Sequence, residues 1–192
     1  MGWDTEGRRK LLLDAATLHF AAHGMAGARI AAIADDAGVN RERIYQYFGD
    51  KQALRTEVQK RAMTESLAQA EITGTGPAAL AGFAGQLFDI YAARPELARL
   101  LAWETLENTD PFAGAVRIPL WDSRVESLRA ALPHLDELRA RHLLLTVFTL
   151  VTSWWSLYHM QAVILPGNND DPARRAMLLE QVKALAAAPR TS

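Results

Sequence analysis

Apolar residues recur along most of this chain at three- and four-residue intervals, the spacing of helices with one buried face. Leu12, Ala15, Ala16, His19 and Phe20 predict a first helix over 5–23, with His19 as a core histidine and Gly24 ending the helix. Ile30, Ile33, Ala34 and Ala37 predict a second. Gly38 then supplies a residue that accepts left-handed dihedrals, Val39 plugs the gap between helices, and Asn40 is a good N-cap. A third helix, Arg41–Tyr47, packs through Ile44 and Phe48. Asp50 caps a fourth over 51–71, and ThrGlyThrGlyPro at 73–77 is the clearest break.

Beyond the break the pattern stays helical. Leu80, Phe83, Ala84, Leu87, Phe88 and Tyr91 stripe a fifth helix over 77–93, and Pro95 starts a sixth over 95–108. AsnThrAspPro at 108–111 is a cap-and-turn signal. Pro119 kinks or starts the seventh helix, which ends near Leu132. An eighth runs over about 135–165, and a last one, opened by Pro172, ends near Ala188. The expected fold is all-α, with about nine helices and no strand. A three-helix helix-turn-helix head fills 1–50, a connecting helix and break 51–76, and a second helical domain 77–192.

The eighth helix has no Asp, Glu, Lys or Arg between Arg141 and Pro166, a length sufficient to span a bilayer. Thr146, Thr149, Thr152, Ser153, Ser156, His159 and Gln161 recur through it and no basic cluster flanks it. A helix covered by its own domain and by a partner is the better reading. Trp154 and Trp155 point about 100° apart on a helix, so one is expected to face the partner and the other the interior. The chain has no Cys, hence no disulfide framework and no thiolate chemistry. That fits a reducing cytoplasm. No secretory leader is evident at the N-terminus.

Net charge is −1. Residues 1–60 hold nine Lys/Arg against eight Asp/Glu, and the remainder twelve against fourteen. Phosphate binding therefore has to come from local clusters: Arg8, Arg9 and Lys10, then Arg29, Arg41, Arg43, Lys51 and Arg55.

The run from Ala15 to Leu54 resembles the N-terminal domain of TetR-family transcriptional repressors. The matching pieces are AA..HF in the first helix, the Gly after it, IA...AGV, the IYQYF block and Lys51. Three positions depart: Arg29 and Arg43 stand where Thr is common, and His19 where Leu is common. The first two change the DNA-facing surface, so no relative's operator carries over.

A recognition helix brings two to four side chains to base edges. Arg41 and Arg43 are the candidates for guanine, and Gln46 for adenine. Arg29, Asn40, Tyr45, Tyr47 and Lys51 complete the expected DNA-binding set. The resemblance places Tyr47 and Lys51 at phosphate-contacting positions. It also implies a homodimer through the last two helices, about 135–165 and 172–188, on a palindromic double-stranded DNA operator. Phe88, Tyr91, Trp103, Trp121, Phe148, Trp155 and His159 are the candidates for a pocket taking a small apolar or aromatic effector; no cofactor and no metal are expected. No Ser–His–Asp order, metal-ligand cluster or phosphate-cradling Gly loop points to an enzyme. The expected protein is a ligand-responsive repressor. The rival is a helical ligand-binding module of the same fold that does not touch DNA.

Overall fold

The computed structural model describes residues 2–107, 114–167 and 170–187, with side chains from Thr5 onward except at 114–116. Ten helices and no strand occur among them: α1 (Gly2–Gly27), α2 (Ile30–Asp36), α3 (Arg41–Phe48), α4 (Lys51–Ala68), α5 (Pro77–Ala93), α6 (Glu96–Glu107), α7 (Gly114–Ala131), α8 (Glu137–Ser156), α9 (Tyr158–Ile164) and α10 (Asp171–Ala187). The chain forms two compact units. The first is Met1–Met63 with Glu96–Gly114, and the second Thr64–Pro95 with Ala115–Ser192. Helix α6, which follows the 73–77 break in sequence, thus belongs with the head.

In the first unit most of the predicted stripes are buried, Leu12, Ala15, Ala16, Phe20, Ile33, Ala34, Ala37 and Ile44 among them, with Ile30 half-buried; Leu54 and Val58 of α4 are buried as well. Each large apolar side chain so buried stabilises by roughly 1.5–3 kcal/mol. His19 packs on the core with its side chain 15% exposed. Its Nε2 lies 2.6 Å from the exposed carboxylate of Asp36, which draws the ring to the core's edge. The capping predictions hold. Asn40 Oδ1 accepts from Glu42 N–H at 3.1 Å, and Asp50 Oδ1 from Ala53 N–H at 2.7 Å. Gly38 has φ +65, the left-handed turn between α2 and α3.

Gly24 ends the long first stretch of α1 at φ +66, as its sequence position predicts, and a single further turn follows to Gly27. The break frees the Ala21 carbonyl and the Met25 N–H, and α6 answers both. Trp103 Nε1 donates to Ala21 O at 3.2 Å, and Glu107 Oε1 accepts from Met25 N–H at 2.8 Å. The other oxygen of Glu107 lies 2.8 Å from Arg55 Nη2 on α4.

The second unit is built on α5, α8 and α10 packed against one another. Leu80, Phe83, Leu87, Leu144, Val147, Val151, Leu178 and Val182 are buried in it. Gly85 lets α10 close on α5: a Cβ there would sit 2.9 Å from Arg175 Nη2. That guanidinium holds Asp89 through bonds of 2.7 and 2.8 Å.

The single eighth helix of the sequence reading is two. It breaks at Leu157, and α9 leaves α8 at 85°. No Gly or Pro stands there. Just before the break Thr152, Ser153 and Ser156 turn their hydroxyls onto the carbonyls of Phe148, Leu150 and Thr152, as Thr146 and Thr149 do earlier in the unbroken part of α8. No single described helix is long and apolar enough to cross a membrane. Pro119 does not start the seventh helix but lies inside α7. Trp154 and Trp155 both turn inward. Trp154 Nε1 donates to Asp171 Oδ1 at 2.7 Å, and Trp155 packs on Phe88.

Candidate nucleic-acid interface and aromatic cluster

Helix α3 has one buried residue, Ile44, with Phe48 half-buried beside it. At about 100° per residue, Gln46 lies diametrically opposite that pair, and Tyr45, Glu42 and Arg43 flank it. All four are exposed, as is Arg41 in the first turn. Asn40 does double duty at the helix start. Its Oδ1 caps the Glu42 amide, and its Nδ2 donates to Glu42 Oε2 at 2.9 Å. The acidic side chain is thereby held at the helix N-terminus, where the macrodipole favours it.

Six of the eight arginines of this unit fall into two sets; Arg8 on α1 and the exposed Arg99 on α6 belong to neither. Arg9 reaches Glu57 at 2.8 Å and lies over the Phe48 ring; Arg61 reaches Asp14 at 2.9 Å; Arg55 reaches Glu107. These tie α1 and α6 to α4. Arg29, at the N-cap of α2, and Arg41 and Arg43 on α3 are exposed and have no ion pair among the described residues. Lys51, in the first turn of α4, is half-buried and likewise without an ion pair. Solvent-facing guanidinium groups beside a solvent-facing Gln are the chemistry that reads base edges and phosphates.

Tyr47 differs from its expected role. Its hydroxyl is buried without a hydrogen-bond partner, and its ring meets Phe48 edge-on at 6.2 Å. In this conformation the hydroxyl does not reach outward to a phosphate; Tyr45, 47% exposed, does face solvent. A groove of about 520 Å³ runs between α1 and the α2–α3 turn, lined by Arg8, Lys10, Leu11, Asp14, Gly38 and Val39 among others.

Five of the seven predicted pocket residues come together in the second unit. Trp155 packs on Phe88 at 4.9 Å and stacks on Tyr91 at 5.8 Å. Phe148 meets Tyr91 at 6.3 Å and Trp121 at 5.3 Å, both edge-on. Burial pushes the Tyr91 phenol well above its ordinary pKa, and the positive charge of Arg117 opposes that shift. The other two lie elsewhere. Trp103 belongs to the first unit, its ring against Gly24. His159 is exposed on α9 and packs on Tyr158 at 3.9 Å. Arg117 and Arg124 escaped the sequence reading, although they share a helical face with Trp121 at i, i+4 and i+7. No group of His, Asp or Glu among the described residues could hold a metal ion.

Comparison with known proteins agrees with this architecture. Residues 12–58 match the family described as bacterial regulatory proteins, tetR family, and residues 79–183 match the tetracyclin repressor-like C-terminal domain. The HTH-type transcriptional repressor SCO4008 of Streptomyces coelicolor is 38% identical over 104 residues, 54% of this chain and 53% of that protein. The match thus spans about half the length of that relative. The crystal structure of the SCO4942 regulator of Streptomyces coelicolor aligns over 94% of this chain and 99% of its own, with 32% identity and a TM-score of 0.75. FadR of Bacillus subtilis, solved in complex with stearoyl-CoA, shares the fold at 20% identity and a TM-score of 0.68, over 94% of this chain and 99% of its own. On both its N-terminal and its larger C-terminal match, this chain belongs to the TetR family of bacterial regulatory proteins.

Proposed function

We propose that the protein is a cytoplasmic repressor that binds a palindromic operator as a homodimer and releases it when a small apolar or aromatic molecule enters the second unit. The observation that carries the DNA reading is the division among the head's arginines. Arg9, Arg55 and Arg61 are held in internal ion pairs, while Arg41 and Arg43 stand open on the same helix as Gln46 and Arg29 stands open at the start of α2. Arg41, Arg43 and Gln46 contact base edges; Arg29, Asn40, Tyr45 and Lys51 fix register on the backbone, and Tyr47 joins them once its ring turns outward.

Dimerisation is supported by apolar side chains left at the surface of the second unit. Leu138, Leu145 and Leu157 follow α8, and Met177 and Leu185 follow α10, between 42% and 66% exposed. Paired about a two-fold axis, the two helices of each copy make a four-helix bundle. The ligand reading is supported by the interlocked rings of Phe88, Tyr91, Trp121, Phe148 and Trp155.

The test is binding of the purified protein to DNA upstream of its own and neighbouring genes across a salt series. A two-fold-symmetric footprint that fades steeply with salt is expected. Binding no tighter than to unrelated DNA would favour instead the ligand-binding module without a DNA target. Tryptophan fluorescence, titrated with small aromatic and acyl compounds, tests the ligand separately.

A further inference from the structure

Helix α7 carries Arg117, Trp121, Arg124 and Leu128 along one face. Arg117 lies close enough to Tyr91 for its charge to act on the phenol. Trp121 meets Phe148, and Leu128 is fully buried. Arg124 goes to backbone. Its Nε donates to Ala70 O at 2.9 Å and its Nη2 to Leu67 O at 2.6 Å. Helix α4 stops at Ala68, so these carbonyls lie where a helix end leaves acceptors without intrahelical donors. Apart from Arg124, Leu67 O receives a long bond of 3.4 Å from the Ala70 amide. A guanidinium at that end also suits the helix dipole.

The geometry points to Arg124 as a positioning residue that seats the C-terminal end of α4 and couples it to the aromatic cluster through Trp121, one turn away on the same helix. This rests on the ligand reading above. The five rings form a chain of contacts that runs from Phe88 through Trp155, Tyr91 and Phe148 to Trp121 at its end, so a molecule entering beside Phe148 presses on Trp121. Phe88, Tyr91, Phe148 and Trp155 stand on α5 and α8, which pack on each other and on α10. Trp121 alone of the five stands on α7. Moving it moves Arg124, and Arg124 holds the end of the helix that begins with Lys51. A planar fork reaching two carbonyls has one geometry, so the grip is lost over a small displacement. A ligand works this lever only as far as it prefers the displaced state.

The test uses the full chain with Arg124→Met, Arg124→Lys, Trp121→Ala and the double change Trp121→Ala/Arg124→Met. Two readouts are taken: hydrogen exchange of amides 64–72, and affinity for the operator fragment across salt. Trp121→Ala is expected to speed exchange at 64–72 by about tenfold, the scale of one lost hydrogen bond to a charged donor. It should also shift DNA affinity severalfold with the salt slope unchanged. In the Arg124→Met background both effects of Trp121→Ala should vanish. Arg124→Lys, which keeps the charge but not the fork, should behave as Arg124→Met. Independent, multiplying effects of the two changes would overturn the coupling, as would unchanged exchange at 64–72 in Trp121→Ala. If Trp121→Ala does not fold, Trp121→Phe carries the same comparison. If even the unaltered chain binds no DNA specifically, the repressor reading falls while exchange at 64–72 still decides the role of Arg124.

Discussion

The arginines of the first unit and those of the second do different work. In the second unit Arg94 meets Glu65, Arg141 meets Glu137 and Asp122, Arg175 meets Asp89, and Arg124 grips two carbonyls. Each joins an element to its neighbour. The first unit has struts of the same kind in Arg9, Arg55 and Arg61, but it also leaves Arg29, Arg41 and Arg43 in water. Keeping a guanidinium solvated and unpaired contributes nothing to folding. It does leave five donors per residue for a ligand of matching charge. The near-neutral total charge hides this, because the struts cancel their partners while the open set does not.

The comparison breaks most visibly at its strongest strut. Glu107→Ala removes an ion-pair partner of Arg55, whose side chain is 4% exposed, and the acceptor of the Met25 amide. Breaking a buried pair from one side costs about 3–5 kcal/mol, and urea unfolding should show a loss of that order. A loss below about 1 kcal/mol would mean that this arginine is a surface charge like the others.

Gly24→Ala attacks the same joint through the backbone. The residue sits at φ +66, and a Cβ would lie 2.7 Å from Glu107 Oε1 and 2.9 Å from the Trp103 ring. Strain and crowding together should cost about 2–3 kcal/mol, with Tm falling accordingly. Gly38→Ala has a similar φ, +65, with nothing within 4 Å of the added carbon. It should cost only the strain, about 1–2 kcal/mol. Equal losses in the two variants would show that Trp103 and Glu107 do not press on Gly24.

How much of this was legible beforehand follows from how far each signal reaches. Gly38, Asn40 and Asp50 act on their own turns, so the helix-turn-helix and its caps could be read from a few adjacent residues. Trp103 could not be placed that way. Its aromatic character suggests a pocket, yet its partner is a carbonyl 82 residues earlier, freed by the helix end at Gly24, and only the fold brings the two together. Arg124 is bound to acceptors 54 and 57 residues away and looks in sequence like any surface arginine. The turn at Leu157 has no Gly or Pro to announce it. Five of the seven candidate pocket residues do gather, because α5 and α8 each carry aromatics at helical spacing and α7 adds Trp121. Which of them face one another is a property of packing that one-dimensional periodicity does not contain.

The open arginines are tested on DNA rather than on folding. Arg41→Ala should leave unfolding unchanged within about 0.5 kcal/mol. It should cost about 1–3 kcal/mol of discrimination at the base pair it reads. Lys51→Ala should instead weaken all sites alike and reduce the slope of log affinity against log salt by about one. If Lys51→Ala leaves both affinity and slope unchanged, it holds no phosphate and the DNA face lies elsewhere on the head.

Arg117 belongs to neither set cleanly, since its charge falls on a phenol. Tyr91 is raised above its ordinary pKa chiefly by burial, with Arg117 pulling the other way. A group whose folded pKa lies above its unfolded value stabilises fully below the unfolded pKa. That contribution is lost as pH rises past it. For tyrosine the loss begins near pH ~10. There the unfolded chain sheds the proton while the folded one keeps it, so stability falls with pH. Tyr91→Phe removes this titration and keeps the ring. Between pH 9 and 11 the unaltered protein should lose more stability than Tyr91→Phe, by at most about 1.4 kcal/mol per pH unit above the midpoint. Urea midpoints at the two pH values measure it, each protein against itself, so that the lysines common to both cancel. Identical pH dependence in the two proteins would mean that the phenol ionises in the folded chain as easily as in water. Arg117 would then offset the burial completely.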